Sequence, residues 1–160
     1  CHCRERLPRW QTIGSHSQDA VFPDQYERIT QLMTSFGLNE ALLAQRPATI
    51  SSGQHNRFNV LRYLLQDFDL LILDEALNNV DEPTRLAILS AMKTMYPHRA
   101  FLYISHQFFD VISFAKTLLI LRAGAMGTQI TTRPGLDLSE YKTNQAADLA
   151  SEIWTVIGNA

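Results

Sequence analysis

Four bulky apolar residues, Leu70-Leu71-Ile72-Leu73, run without interruption into two acids, Asp74-Glu75. An unbroken run of this kind predicts a strand buried on both faces, as inside a parallel sheet. Ala100 to Ser105 forms a second such run, ending at His106, and Thr117 to Leu121 a third, closed by Arg122-Ala123-Gly124. Elsewhere the apolar positions recur at helical spacing. Tyr26, Ile29, Leu32, Met33 and Phe36 predict a helix over residues 24–36, with Asp24 as N-cap and Gly37 as its stop. A short helical piece over 40–45 ends at Pro47. Val60, Leu61, Leu64 and Leu65 mark one face of a helix capped by Ser51 or Ser52. Pro83 suits the first turn of a helix running to about Met95, broken by Tyr96-Pro97-His98. Further helices are expected over 107–115 and 138–157, the latter with Leu149, Ile153, Trp154 and Ile157 on one face. Gly135 and its polar neighbours read as a linker, residues 1–12 as a basic irregular segment, and a short strand is expected to end near Gln18.

Strands alternating with helices imply an α/β fold with a parallel, helix-covered sheet. Open sheets of that class place their ligands at the carboxyl ends of the strands. There this chain puts Asp74 and Glu75, His106 and Gln18. Adjacent strand residues point to opposite sides. The two acids can therefore serve one site only if the chain bends at them, and they would then have different jobs. A core strand ending in two solvated acids shows the same pattern.

Composition narrows the classes. The chain has 160 residues, 46% hydrophobic and 19% charged, which suits one globular domain. A net charge of −2 gives no electrostatic footprint for nucleic acid or for an anionic membrane surface. No apolar run approaches the roughly 20 residues of a membrane-spanning helix, so any membrane connection would come through a partner. Cys1-His2-Cys3 looks like a metal cluster, but the spacing is wrong for structural zinc and no second ligand pair follows.

Several short motifs fall in one order. Ile50-Ser51-Ser52-Gly53-Gln54 with Arg57 resembles the signature L-S-G-G-Q-x-x-R of ABC-type ATPases, the nucleotide-binding domains of ABC transporters. Leu70 to Glu75 resembles the Walker B strand with its catalytic glutamate. Asn79-Val80-Asp81 resembles the D-loop, Ser105-His106 the switch-histidine loop, and Ile13-Gly14 through Gln18 the Q-loop strand. No single match suffices. An ordinary capped helix also starts Ser-Ser-Gly, and a histidine at a strand end is commonly just hydrogen-bonded. Order and spacing together carry the resemblance, which covers about residues 12–124.

The resemblance implies a P-loop NTPase-like sheet flanked by helices, with a signature-bearing helical subdomain over 24–65, a core over 66–124 and a C-terminal extension over 125–160. It implies ATP and Mg²⁺ as cofactors. Asp74 would hold Mg²⁺ through coordinated water, and Gln18 would sense the metal or the γ-phosphate. Glu75 would orient and deprotonate the attacking water, and His106 would contact the γ-phosphate. Ser51, Ser52, Gly53, Gln54 and Asp81 would face ATP on a second nucleotide-binding domain in a head-to-tail dimer. The further partner would be a transmembrane transporter domain, with the ATPase on the cytoplasmic side of the membrane.

The departures also inform. No G-x-x-x-x-G-K-[ST] occurs, and none of the lysines follows a glycine. That loop cradles the phosphates in the family, so the expectation is a domain whose N-terminal part is missing, inactive alone, with apolar surface exposed where that part would pack. Ser52 replaces the first signature glycine, Ala76 the usual proline, and Asn78-Asn79 the usual small pair. Ala76 to Asp81 resembles exporter-type domains more than importers, and the stretch from Gln18 to Ser51 is short. Two alternatives stand beside a transporter ATPase. One is a non-catalytic domain that donates its signature to a partner's ATP. The other is a soluble ABC ATPase acting on ribosomes or DNA, which would call for basic extensions or a long coiled coil.

Overall fold

The computed structural model describes residues 12–18, 26–124, 127–138 and 143–158. It divides into two compact units, Cys1–Ile104 and Ser105–Ala160. Asp24 and the Cys1-His2-Cys3 group lie outside the described residues.

The first unit is built on β1 (Leu70–Asp74) and β2 (Ala100–Ile104), paired in parallel from Leu70↔Ala100 to Asp74↔Ile104. The two strands are joined by helix α4 (Glu82–Met95), as parallel neighbours require a crossover. Helices α1 (Ile13–Gln18), α2 (Tyr26–Ser35) and α3 (Ser52–Leu64), with 3-10 turns at Glu40–Ala44 and Pro47–Thr49, precede them. Leu32, Met33, Phe36, Phe58, Val60, Leu61, Leu64, Leu73 and Ile88 form the fully buried core. Each such side chain contributes about 1.5–3 kcal/mol when taken from water.

Strand β1 differs from the expectation of two buried faces. Leu71 and Leu73 are 6% and 0% exposed, but Leu70 and Ile72 are 53% and 44% exposed. Strand β2 repeats the pattern, with Leu102 and Ile104 open on the same alternation. Only two strands pair here, and one face of the pair carries no covering layer among the described residues. An apolar run reports that a residue type suits burial; whether both faces are covered depends on what packs there.

The strand expected near Gln18 is a helix instead. Ile13 is fully buried in it, and its N–H donates to the Gln45 carbonyl at 2.9 Å. Thr12 Oγ1 accepts from the Ser15 N–H at 3.3 Å in the manner of an N-cap. A six-residue polar segment with one apolar anchor has no period to read, so the correction had no sequence signal.

Helix α2 ends as its sequence predicts. Gly37 takes φ +59°, its N–H donates to Thr34 O at 3.0 Å, and Leu38 N–H donates to Met33 O at 2.8 Å. These two bonds are a Schellman motif, which needs a left-handed residue and favours glycine.

The second unit contains α5 (Phe108–Phe114), β3 (Thr117–Gly124), β4 (Gly127–Pro134) and α6 (Thr143–Gly158). Strands β3 and β4 pair antiparallel from Thr117↔Pro134 to Gly124↔Gly127. Most of β4 falls between the segments assigned from sequence, and its tail lies in the expected linker. Its Thr-Gln-Ile-Thr-Thr pattern has one apolar residue, and it is held mainly by ladder bonds with β3. The core of this unit is Ile112, Leu118, Ala146, Ala150 and Ile153. Trp154, expected on one face of α6 with Leu149 and Ile153, is 59% exposed, its ring tilted 52° to that of Phe108 with centroids 5.3 Å apart. Ala146 and Ala150 join Ile153 on the buried side of α6.

Candidate functional site

Strand β1 delivers the two acids. Asp74 is its last residue and half-buried. At Glu75 the backbone turns left-handed, with φ +52°. The Glu75 N–H donates to the Ile104 carbonyl at 2.9 Å, extending the β1–β2 ladder by one bond and pinning the turn. This is the bend that two neighbouring acids need in order to reach one site. For a residue with a Cβ it costs about 1–2 kcal/mol, and such conformations persist where the surroundings over-determine them.

The chain from Ala76 to Asp81 folds over two successive turns. Asn78 N–H donates to Glu75 O at 3.3 Å and Val80 N–H to Leu77 O at 3.1 Å. Ala76, Leu77 and Val80 are buried, and the Arg85 guanidinium donates to Val80 O at 3.1 Å. Asp81 caps α4, its Oδ1 accepting from the Thr84 N–H at 3.1 Å. That hydrogen bond from the Thr84 backbone, helped by the Thr84 side chain, holds the Asp81 carboxyl below the usual 3.8.

Ser51 caps α3. Its hydroxyl accepts from Gln54 N–H at 3.1 Å, and Gln54 Oε1 accepts from Ser51 N–H at 3.0 Å, a reciprocal capping box. Ser51 and Ser52 are exposed. The capping box takes up the Ser51 and Gln54 N–H groups, and a helix start of this kind favours an anion through its dipole. Gly53 has a second neighbour. A Cβ placed on it would stand 2.8 Å from the Asn79 carbonyl oxygen. The structure thus brings the start of α3 against the 76–81 loop, a contact the sequence did not announce.

Arg57 is the residue whose role was least legible. Its guanidinium donates to Phe36 O at 2.8 Å and Gly37 O at 3.0 Å, and its Nε to Gly53 O at 3.3 Å. The first two acceptors are carbonyls at the end of α2, where a cation also complements the helix dipole. A glycine stop followed some twenty residues later by an arginine one turn into a helix is the only trace this leaves in the sequence.

His106 belongs to the second unit. It is exposed, and its Nε2 lies 3.2 Å from Gln107 Nε2. Gln18 is the last residue of α1, and its side chain lies outside the described residues.

A parallel βαβ unit with acids at its carboxyl end, beside a helix capped by Ser51, has the α/β architecture of P-loop NTPases. A solved ATP-binding subunit of an ABC transporter superposes with a TM-score of 0.65 over 74% of this chain and 52% of its own, at 22% identity. The family model for ABC transporters matches residues 3–78. The molybdenum import ATP-binding protein ModC of Brucella abortus is 36% identical over 85 residues, 52% of this chain and 24% of the relative. The nickel import system ATP-binding protein NikE of Staphylococcus aureus is 30% identical over 134 residues, 78% of this chain and 57% of the relative. The chain carries part of an ABC transporter ATP-binding domain. It spans about a quarter to somewhat over half the length of these curated relatives.

Proposed function

We propose that the intact protein hydrolyses ATP to drive solute movement across a membrane, with Glu75 as general base. The observation that carries this reading is the pinned left-handed turn at Glu75, which sets its backbone apart from Asp74 at the carboxyl end of β1. Phosphoryl transfer to water needs positioning and charge neutralisation more than covalent chemistry. Glu75 holds and deprotonates the water. Asp74, at the strand end, would hold Mg²⁺, and His106 would contact the γ-phosphate, as the resemblance implies. The start of α3, with Ser51, Ser52, Gly53 and Gln54, would face ATP held by a second nucleotide-binding domain, and Asp81 would border the same interface.

Among the described residues no group of three or more His, Cys, Asp or Glu could hold a metal ion. The half-buried carboxylate of Asp74 fits Mg²⁺, which is commonly held by one or two carboxylates with substrate phosphates and water. Bound there, Mg²⁺ would neutralise developing charge on the phosphate oxygens. Gln18 stands as a further sensor of that ion. Residues 24–65 form the signature side of the domain, 66–124 the hydrolytic side and 125–160 an extension.

No described helix is long and apolar enough to cross a membrane. Likeness to ABC ATP-binding subunits supports a transmembrane partner and a place on the cytoplasmic side in this reading. Both relatives are named as import proteins, which supports import over the exporter-like cast of residues 76–81. The test is Glu75→Gln in the intact protein. Turnover is expected to fall by about 10²–10⁴-fold with ATP binding retained. Unchanged turnover would remove Glu75 from the mechanism. Wild-type protein that binds no nucleotide but raises the turnover of a partner ATPase would favour the signature-donating alternative.

A further inference from the structure

Gly135 and its neighbours read as a linker in the sequence, yet in the second unit they are closely packed. Successive N–H groups of this segment donate to carbonyls at and just beyond the end of α5. Gly135 donates to Lys116 O at 3.0 Å, Leu136 to Ile112 O at 3.0 Å, Asp137 to Ala115 O at 3.1 Å and Leu138 to Ser113 O at 2.8 Å. Ile112 and Ser113 lie in the last turn of α5, where carbonyls lack partners within the helix. A Cβ on Gly135 would collide with the Ala115 carbonyl oxygen, and the Ile112 carbonyl oxygen would stand 3.3 Å from it. The φ of Gly135 is not positive, so the close approach, and not the backbone conformation, requires glycine here. Leu136 packs against the core formed by Ile112, Leu118 and α6.

Helix α5 has seven residues. That is about 10 Å of rise, too short for a helix to hold its shape alone. At its other end Ser105 Oγ accepts from the Gln107 N–H at 3.0 Å, which ties the turn carrying His106 to the start of the helix. We infer that residues 135–138 are a strap that sets the angle of α5 and so the position of His106, with Gly135 as the positioning residue. Two turns of helix move as one piece, and a displacement at the Ala115 end is carried to the His106 end. The consequence for turnover rests on the role proposed above for His106.

The test compares wild type with Gly135→Ala and with Ile153→Val, a control that loosens the same core from α6 and leaves the hydrogen bonds of the strap in place. In Gly135→Ala, amide exchange of residues 136–138 in the full chain is expected to quicken about tenfold. The His106 imidazole proton and nitrogen resonances, assigned by their loss in His106→Gln, are expected to shift in Gly135→Ala and to stay in place in Ile153→Val. Wild-type His106 resonances in Gly135→Ala overturn the inference, whether or not the strap opens. An equal shift in both variants also overturns it, since general loosening would then be the cause. If Gly135→Ala does not fold, Leu136→Ala, which withdraws the side chain seating the strap, takes its place in the same comparison. In the intact protein Gly135→Ala should lower kcat for ATP about 10–100-fold and leave KM within about twofold. A rise in KM at constant kcat overturns the positioning role. If wild-type protein hydrolyses no ATP, the proposed function falls, and the resonances still decide whether the strap places His106.

Discussion

The two ends of the β1–α4–β2 unit each carry a pair of acids, and they are built differently. At the amino end, Asp67 and Asp69 share one cation, with Arg99 at 2.7 and 3.0 Å. Phe68, Tyr96 and Phe101 pack beneath it with ring centroids 5.7–6.4 Å apart. The Tyr96 hydroxyl donates to Leu64 O at 2.6 Å, and Arg28 lies 4.6 Å over its ring. At the carboxyl end, Asp74 and Glu75 stand on a left-handed turn held by backbone bonds to Ile104 and Asn78. One end is built around a ring cluster, while the other keeps backbone strain beneath an acid. Two acids near a strand are therefore no mark of a site; the strained backbone under one pair distinguishes them.

Four substitutions can break or sharpen this contrast. The largest effect is expected beneath the strained end. Leu73→Ala removes a fully buried side chain from the one covered face of β1, and should cost about 2–5 kcal/mol in urea unfolding. A cost under about 1 kcal/mol would mean that this face is not a packed core. At the amino end, Tyr96→Phe orphans the Leu64 carbonyl, and a loss of about 1–2 kcal/mol is expected.

The same tyrosine makes a pH prediction. Burial pushes its hydroxyl above the usual 10.0, against an opposing pull from Arg28. The folded state thus holds the proton more tightly than the unfolded one. The stability this contributes is complete below pH 10 and is lost as pH rises through the folded value. Tyr96→Phe should abolish that alkaline loss in a pH series of melting temperatures.

Glu75→Gly should act in the opposite direction. It relieves the left-handed strain, at some cost in unfolded-chain entropy, for a net gain of up to about 1 kcal/mol. A loss of stability would show that the turn stores no strain. The smallest effect belongs to the exposed acid Asp81. Its carboxyl is held low by Thr84, so its support of α4 is present above pH 3.8 and lost as pH falls through its folded value. Asp81→Asn keeps a capping oxygen but should remove that acid-limb dependence, measured by far-ultraviolet circular dichroism below pH 4.

Much of this organisation was readable from local chemistry. Helix α2 with its glycine stop, the Ser51 cap, Pro83 in the first turn of α4, and the acids at the end of β1 all follow from short-range rules. Those rules concern side-chain spacing, left-handed tolerance and orphan helix N–H groups, and they act within a few residues. The resemblance to ABC-type ATPases rested on the same short stretches, joined by their order.

The remainder depended on partners distant in the chain. Leu70 and Ile72 are as apolar as Leu71 and Leu73, and only the packing on each face separates them. Strand β4 carries little hydrophobic period because its pairing with β3 holds it. Helix α1 seats its Ile13 against Gln45. The Arg57 and Gly53 contacts join residues twenty or more positions apart through backbone carbonyls. Every residue carries a carbonyl, so the side-chain pattern cannot say which one a guanidinium will reach; the folded backbone selects it.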